Sequence, residues 1–426
     1  MNVLPDEHDA TASGRRRFAH QVVERLRSAG FEALWAGGCV RDLLLDLSPM
    51  DYDVATSATP EQVREVFGRR RTLPVGAAFG VIIVLGPHAE AGQVEVATFR
   101  NDAAYSDGRR PDSVVYSTAI EDARRRDFTI NGMFYDPVIE QVIDYVGGRD
   151  DLKRGLIRAI GDADARIAED KLRMLRAVRF AARFGFAIEA ATQAALARHA
   201  PELSIVSGER MAGEMHKTLI TAGRESAVRS WADSGLLAVL LPQLAQQWSE
   251  VGERACGLLR AIRPQNWIAP LVALLLPIAR SEAGDATTPL CIDLKSRLKL
   301  SNDEVSQVHF ALSRQRLFES ASSSPWSVVQ PSLIDPRSGV ALELLDARVV
   351  CGEVDKQQLH WLHDRLALPK QELDPPPLVG GHDLHQLGFS PGPRFKALLE
   401  AVRAAQLDHR LTDRAQALAW LQTQLS

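Results

Sequence analysis

Apolar residues recur at helical spacing in Phe18, Val22, Val23 and Leu26, so Arg15 to Ala29 predicts a helix that Gly30 ends. An apolar approach through Trp35 then meets Gly37-Gly38 and resumes in Val40 and Leu43-Leu44-Leu45, the pattern of a strand, a tight glycine turn and a helix start. Thr59-Pro60-Glu61 is a helix N-cap with proline at the first helical position, opening a helix through Phe67. Gly80 to Leu85 and Val94 to Arg100 read as strands joined by a loop bearing proline and glycine. Asn101 to Asp122 is polar and has no apolar period, so it reads as a mobile loop of the kind used as a lid. A strand from Val142 runs into the Gly147-Gly148 turn and closes a first domain. From Ala165 the pattern is helical almost to the end. Glu169 to Phe186 predicts one helix with the apolar stripe Leu172, Leu175, Val178 and Ala182. Ile268 to Ala279 is apolar throughout, too short to span a bilayer and interrupted by Pro270 and Pro277, so it reads as a buried helix.

A length of 426 residues calls for several domains. The net charge of −4 excludes a global polycation, so nucleic-acid contacts must come from local clusters. The candidates are Arg15-Arg16-Arg17, Arg69-Arg70-Arg71, Arg109-Arg110 and Arg124-Arg125-Arg126. Cys39, Cys256, Cys291 and Cys351 form no CxxC pair, which argues against a zinc site or disulfide framework and fits a reducing cytoplasm. The N-terminus lacks a signal-peptide pattern, and the reading expects a cytoplasmic protein with no membrane partner.

The chemistry concentrates in Met50-Asp-Tyr-Asp-Val-Ala-Thr56. On a strand, Asp51 and Asp53 would project from the same face, and their repulsion is relieved by a hard divalent cation such as Mg²⁺, which also takes substrate phosphates. Just upstream, Gly37-Gly38 lets backbone N–H groups approach a phosphate, and Arg41 adds a forked donor. Glu95 is a candidate third carboxylate if its strand adjoins that of Asp53. Asp127 and Asn131, at i and i+4, would share one helix face and suit a ribose hydroxyl, while Arg126 reaches a triphosphate. Steps of three residues turn back by about 60° on a helix, so Asp170, Arg173, Arg176 and Arg179 wind around theirs and would not all look at one spot. Arg173 then lies opposite the apolar stripe, and Asp170 with Arg173 are the candidates for touching a ligand. Arg179 falls beside the stripe, as an ion-pairing residue at a domain junction would. His382 and His385 have only Asp383 close by in sequence and read as surface residues rather than metal ligands.

Taken in order, Gly37-Gly-Cys-Val-Arg-Asp42, Asp51-Tyr-Asp-Val-Ala-Thr56, Arg125-Arg-Asp-Phe-Thr-Ile-Asn131, Gly147-Gly-Arg-Asp-Asp-Leu152, Glu169 to Phe180 and Ser207 to Lys217 resemble the class II tRNA nucleotidyltransferases and bacterial poly(A) polymerases. The resemblance implies an α+β fold: a nucleotidyltransferase head with a small mixed sheet, then an all-helical neck, body and tail. Applied to this chain, it divides into an N-terminal helix (1–30), head (31–152), neck (153–220), body (221–330) and tail (331–426). It implies Gly38 and Arg41 on the triphosphate, Mg²⁺ on Asp51 and Asp53, and Arg126, Asp127 and Asn131 orienting triphosphate and ribose. Asp170 and Arg173 would read the base, with Arg176 and Arg179 at nucleotide-contacting positions. The substrates implied are tRNA, CTP and ATP, the reaction addition of CCA or its terminal A. A bacterial poly(A) polymerase is the alternative within the family, and a non-catalytic RNA-binding protein the alternative outside it. Gly132 departs from the alanine usual in the family, and Ala163 from its proline.

Overall fold

The computed structural model describes residues 7–76, 80–102, 114–281 and 284–424. The chain separates into two compact units, Met1–Leu240 and Leu241–Ser426.

In the first unit, α1 (Glu7–Ser28) leads into β1 (Ala33–Ala36) and the short α2 (Gly38–Leu44). Then come β2 (Asp53–Thr56), α3 (Pro60–Phe67), β3 (Thr72–Gly76), β4 (Val81–Leu85) and β5 (Gln93–Thr98). The Thr59 side chain and Gln62 form the reciprocal cap that the Thr-Pro-Glu signature calls for. β6 (Arg100–Asp102) pairs with β7 (Val114–Tyr116) as a separate ribbon, followed by α4 (Ala119–Arg124), β8 (Phe134–Asp136) and β9 (Gln141–Ile143). The polar stretch expected as a single loop therefore ends in a strand and a capped helix; residues 103–113 of it lie outside the described residues.

Seven strands make one mixed sheet in the order β3-β4-β5-β2-β1-β8-β9, antiparallel except for β2 with β5. Alternation gives it two faces. Val54, Val94, Val96, Ile82 and Val84 are buried on one, toward α1 and α3. The other carries Asp53 and is covered at its centre by Ala119 and Ala123 of α4, packed with Leu34, Ala36, Ala55, Phe99 and Phe134.

Helices follow: α5 (Gly148–Arg154), α6 (Ala163–Glu169), α7 (Arg173–Phe184), α8 (Ala190–His199) and α9 (Gly208–Leu219). The expected stripe of Leu172, Leu175, Val178 and Ala182 is buried. The single helix expected from Glu169 to Phe186 is instead two, because the Asp170 carboxylate accepts from the Leu172 N–H and caps a turn between α6 and α7.

The second unit is helical among its described residues apart from a short strand pair, Arg280–Ser281 with Gly284–Asp285. All of Ile268–Ala279 is buried, Pro277 included. No helix among the described residues is long and apolar enough to cross a membrane. Val379, Leu384, Phe389, Leu398, Val402, Ala417 and Leu421 form a small core near the C-terminus. There Asp383 caps its own helix and pairs with Arg414, while His382 bonds Gln386 and His385 packs on Phe395. No group of three or more His, Cys, Asp or Glu side chains placed to hold a metal ion occurs among the described residues.

Candidate active site

The turn after β1 aims α2 across the sheet. Gly37 has φ 72°, a region side chains disfavour, and a Cβ there would lie 2.8 Å from Nη1 of Arg126. A Cβ on Gly38 would meet only Arg41 at 3.6 Å, so the steric demand of the pair falls on Gly37. Asp53 opens β2, and Asp51 precedes the strand by two residues rather than belonging to it. Glu95 stands opposite Asp53 on the parallel neighbour β5, which meets the condition set for it as a third carboxylate. Partial burial, then the Glu95 and Asp51 charges, push Asp53 up to about 6 against the pull of Arg126. Behind it the buried Cys39 thiol donates to the Ala36 carbonyl and is pushed up to about 12, chiefly by burial.

The expected helix over Asp127 and Asn131 is absent: α4 stops at Arg124, and Thr129–Asn131 is a 3₁₀ turn. The basic triplet thus sits at a helix C-terminus, the end that favours cations. Arg125 and Arg126 share the buried Asp122, at 2.6 and 2.9 Å. The turn still brings Asp127 and Asn131 together, since Asn131 Nδ2 donates to Asp127 Oδ1 at 3.1 Å. Arg41, only 4% exposed, holds Asp42 at 2.6 Å and donates to Asn131 Oδ1 at 2.7 Å, its guanidinium against Phe180 and Phe184. Arg176 of α7 grips Asp127 Oδ2 at 2.5 and 2.8 Å. A continuous chain of bonds from Asp42 through Arg41, Asn131 and Asp127 to Arg176 therefore ties the sheet region to α7. Burial would raise Asp127, but the Arg176 charge and the bonds from Asn131 and the Phe128 N–H outweigh it and hold its pKa down to about 2. A Cβ at Gly132 would lie 2.7 Å from Cγ2 of Val146 and 2.9 Å from Cδ1 of Ile160, so the alanine that the resemblance leads one to expect would require those side chains to shift.

Arg173 was expected on the exposed side of its helix and is buried, because the side opposite the apolar stripe packs back on the head. It donates to Glu169 at 2.6 Å and to the carbonyls of Arg166 and Arg125. Asp170 is paired with Arg210 of α9 at 2.8 Å. Arg179 forms the expected ion pair, with the buried Glu214 of α9 at 2.7 Å. Helical winding was expected to point Asp170, Arg173, Arg176 and Arg179 apart; they line one space instead, because Asp170 precedes the helix and the arginines are long.

One cleft of about 730 Å³ is lined by eleven of the twelve candidates, Gly38, Arg41, Asp51, Asp53, Arg126, Asp127, Asn131, Asp170, Arg173, Arg176 and Arg179, and not by Glu95. Gly37, Arg100, Arg125, Phe180, Arg183 and Lys217 complete it. Arg183, which lies 3.6 Å from Asp42, was within reach of sequence reasoning, since it follows Arg176 by two helical turns. Eight arginines and Lys217 line the cleft beside four aspartates, an excess of cations in the lining of a net acidic chain, with Arg41, Arg125, Arg126, Arg173 and Arg179 each paired to an acid behind it. The cleft suits a polyphosphate with its reacting end toward Asp51 and Asp53.

A mixed sheet carrying a carboxylate pair, closed by an arginine-rich helix, defines a nucleotidyltransferase head. Residues 33–158 match the poly A polymerase head domain, and residues 185–247 a probable RNA and SrmB-binding site of polymerase A. The CCA-adding enzyme of Latilactobacillus sakei is 34% identical over 391 residues, 91% of this chain and 93% of that protein. That of Limosilactobacillus fermentum is 33% identical, with 94% of each chain covered. The crystal structure of the Bacillus stearothermophilus CCA-adding enzyme in complex with CTP superposes with a TM-score of 0.74 at 29% identity, covering 96% of this chain and 97% of that one. A Thermotoga maritima CCA-adding enzyme complexed with tRNA shares the fold, with a TM-score of 0.64 at 20% identity over both full lengths. The chain belongs to the CCA-adding enzyme family.

Proposed function

We propose that the protein adds C, C and A stepwise to the 3′ end of tRNA from CTP and ATP, releasing pyrophosphate, in the cytoplasm. The observation that carries this reading is the arginine-rich cleft in which the carboxylate pair, Asp170 and Arg173 face the same space. Arg41, Arg126 and the backbone around Gly37-Gly38 bind the triphosphate, while Asp127 and Asn131 orient the ribose. Asp170 accepts from an exocyclic amine and Arg173 donates to a ring acceptor, a combination that suits the Watson–Crick edges of C and A. Residues 31–152 act as head, 153–220 as neck, 221–330 as body and 331–426 as tail, the last two holding tRNA.

The donor set fits Mg²⁺. Asp51 and Asp53 are both carboxylates, and the rise in Asp53 marks a site whose negative charge a divalent cation relieves. Held there, Mg²⁺ supplies charge neutralisation on the triphosphate and a lowered pKa for the attacking hydroxyl. This gives a prediction that needs no turnover. An acid whose pKa is raised on folding destabilises the protein as pH rises from about 4 to above 6, so Asp53→Asn should stabilise the metal-free protein at pH 7.5. Asp53 is exposed in the cleft, and screening reduces the gain to about 1 kcal/mol. Thermal melting with and without Mg²⁺ checks it: the ion should raise Tm for the native protein and not for the variant. A native protein indifferent to Mg²⁺ would refute the assignment.

Base selection is tested by competition among all four triphosphates. A wrong base forfeits the bonds that the capacity of Asp170 and Arg173 left over from Arg210 and Glu169 would make to the right one, at about 1–3 kcal/mol each, so Arg173→Ala should lower the preference for CTP and ATP by roughly one to two decades. A slower variant with undiminished preference would make Arg173 purely structural.

A further inference from the structure

The triplet Arg69-Arg70-Arg71 takes no part in the cleft. It forms a single 3₁₀ turn between α3 and β3, with all three side chains exposed. Among the described residues none of the three makes an ion pair or a side-chain hydrogen bond. Arg125 and Arg126 form the contrast, both neutralised on Asp122. Three adjacent like charges that the fold leaves uncompensated are screened by water alone, and a polyanion laid against them would gain all three at once.

Their position gives that anion a direction. β3 is the edge of the sheet, and Leu73, two residues after Arg71, pairs with Ile83 of β4. Ile83 pairs with Glu95 of β5, and Glu95 with Asp53 of β2. Residues directly opposite one another share a face, so Leu73, Ile83, Glu95 and Asp53 form one row across the sheet. Three strand spacings of about 4.8 Å put Leu73 roughly 14 Å from Asp53 along that row. The row stays open toward the edge, with Leu73 42% exposed and Val75, on the same edge strand, 78% exposed.

We propose that the Arg69–Arg71 turn and the Leu73 edge of the sheet form a contact for the RNA strand whose 3′ end enters the cleft. The arginines take its phosphates, and the aliphatic edge lies under its sugars and bases. This rests on the reading of tRNA as substrate and adds a head surface beside the reacting end. The occupant is the polymer rather than the incoming nucleotide, because the turn is too far from Asp53 to reach a triphosphate being attacked there. An acidic protein would satisfy the charge but has no reason to follow the row toward Asp53.

The test uses the full-length protein, a tRNA transcript, and two triple variants, Arg69→Gln/Arg70→Gln/Arg71→Gln and Arg69→Glu/Arg70→Glu/Arg71→Glu. Both change only exposed side chains, and melting curves verify their folding. Each phosphate contact contributes about 0.7–0.9 to the slope of log affinity against log salt, so losing three flattens it by about two. The neutral variant should bind tRNA about tenfold more weakly near physiological salt, and the acidic variant more weakly still. KM for CTP, and kcat at saturating tRNA, should stay unchanged. Unaltered tRNA affinity and salt slope in both variants would overturn the proposal, as would an equal rise in KM for CTP. If the native protein incorporates CTP into tRNA while the variants bind as well as it does, only this surface fails. If the native protein neither binds tRNA nor incorporates, the substrate assignment fails with it.

Discussion

Asp51→Ala and Asp53→Ala should each lower nucleotide incorporation by about three orders of magnitude or more, since each removes half of the two-carboxylate metal site proposed to serve the whole reaction. Binding of tRNA should survive, because the surfaces proposed to hold it lie in the helical body and tail and at the sheet edge. Asp53→Ala should combine near-complete inactivity with unimpaired folding, since it removes a carboxylate that partial burial, and then the Glu95 and Asp51 charges, push up to about 6. Steady-state incorporation of labelled CTP, beside filter binding of tRNA, measures both. Turnover near the native rate in either variant would remove the carboxylates from the reaction.

The second large effect belongs to stability. Asp127→Asn keeps the shape of the residue and leaves Arg176 with a neutral partner. Breaking a buried pair from one side costs about 3–5 kcal/mol, and the part-exposure of Arg176 puts the expected loss toward the lower end. For a unit of this size that corresponds to a fall in Tm of about 5–15 °C. The double variant Asp127→Asn/Arg176→Gln should be more stable than the single one, because no uncompensated charge remains. The pH dependence has a definite sign. The Asp127 pKa lies below its ordinary 3.8 in the folded state, so its contribution is complete above about pH 4 and fades as pH falls toward 2. Melting across pH 2–6 should therefore show a smaller acid-induced loss in the variant than in the native protein. Additive losses in the double variant would mean that the ion pair contributes nothing beyond its parts.

Much of the site was legible because its signals are local. The glycine turn and the Thr59 cap depend on neighbours a few residues away, and the structure bears them out, whereas of the Asp51–Asp53 pair only Asp53 lies on the expected strand. What sequence reasoning misjudged depends on distant packing. Arg173 reads as exposed because helix geometry alone cannot know that the Arg125 carbonyl, 48 residues earlier, closes over it. Asp127 and Asn131 read as one helix face because their spacing fits one; a 3₁₀ turn presents the same pair, tied to Arg41 90 residues away. The break at Asp170 had a local cause, the competition of an aspartate side chain for a backbone N–H, and the strong apolar stripe on either side concealed it.

The central claim is that one cleft adds a defined trinucleotide without a nucleic-acid template. It is tested most directly by three tRNA transcripts, ending at the discriminator base, at C and at CC, each given CTP alone or ATP alone with Mg²⁺ and read at single-nucleotide resolution. The first should gain two residues with CTP and none with ATP, the second one with CTP, and the third a single residue with ATP and none with CTP. Runs of A on any of the three would contradict the claim and make the protein a poly(A) polymerase, and no incorporation on any of them would leave it an RNA-binding protein.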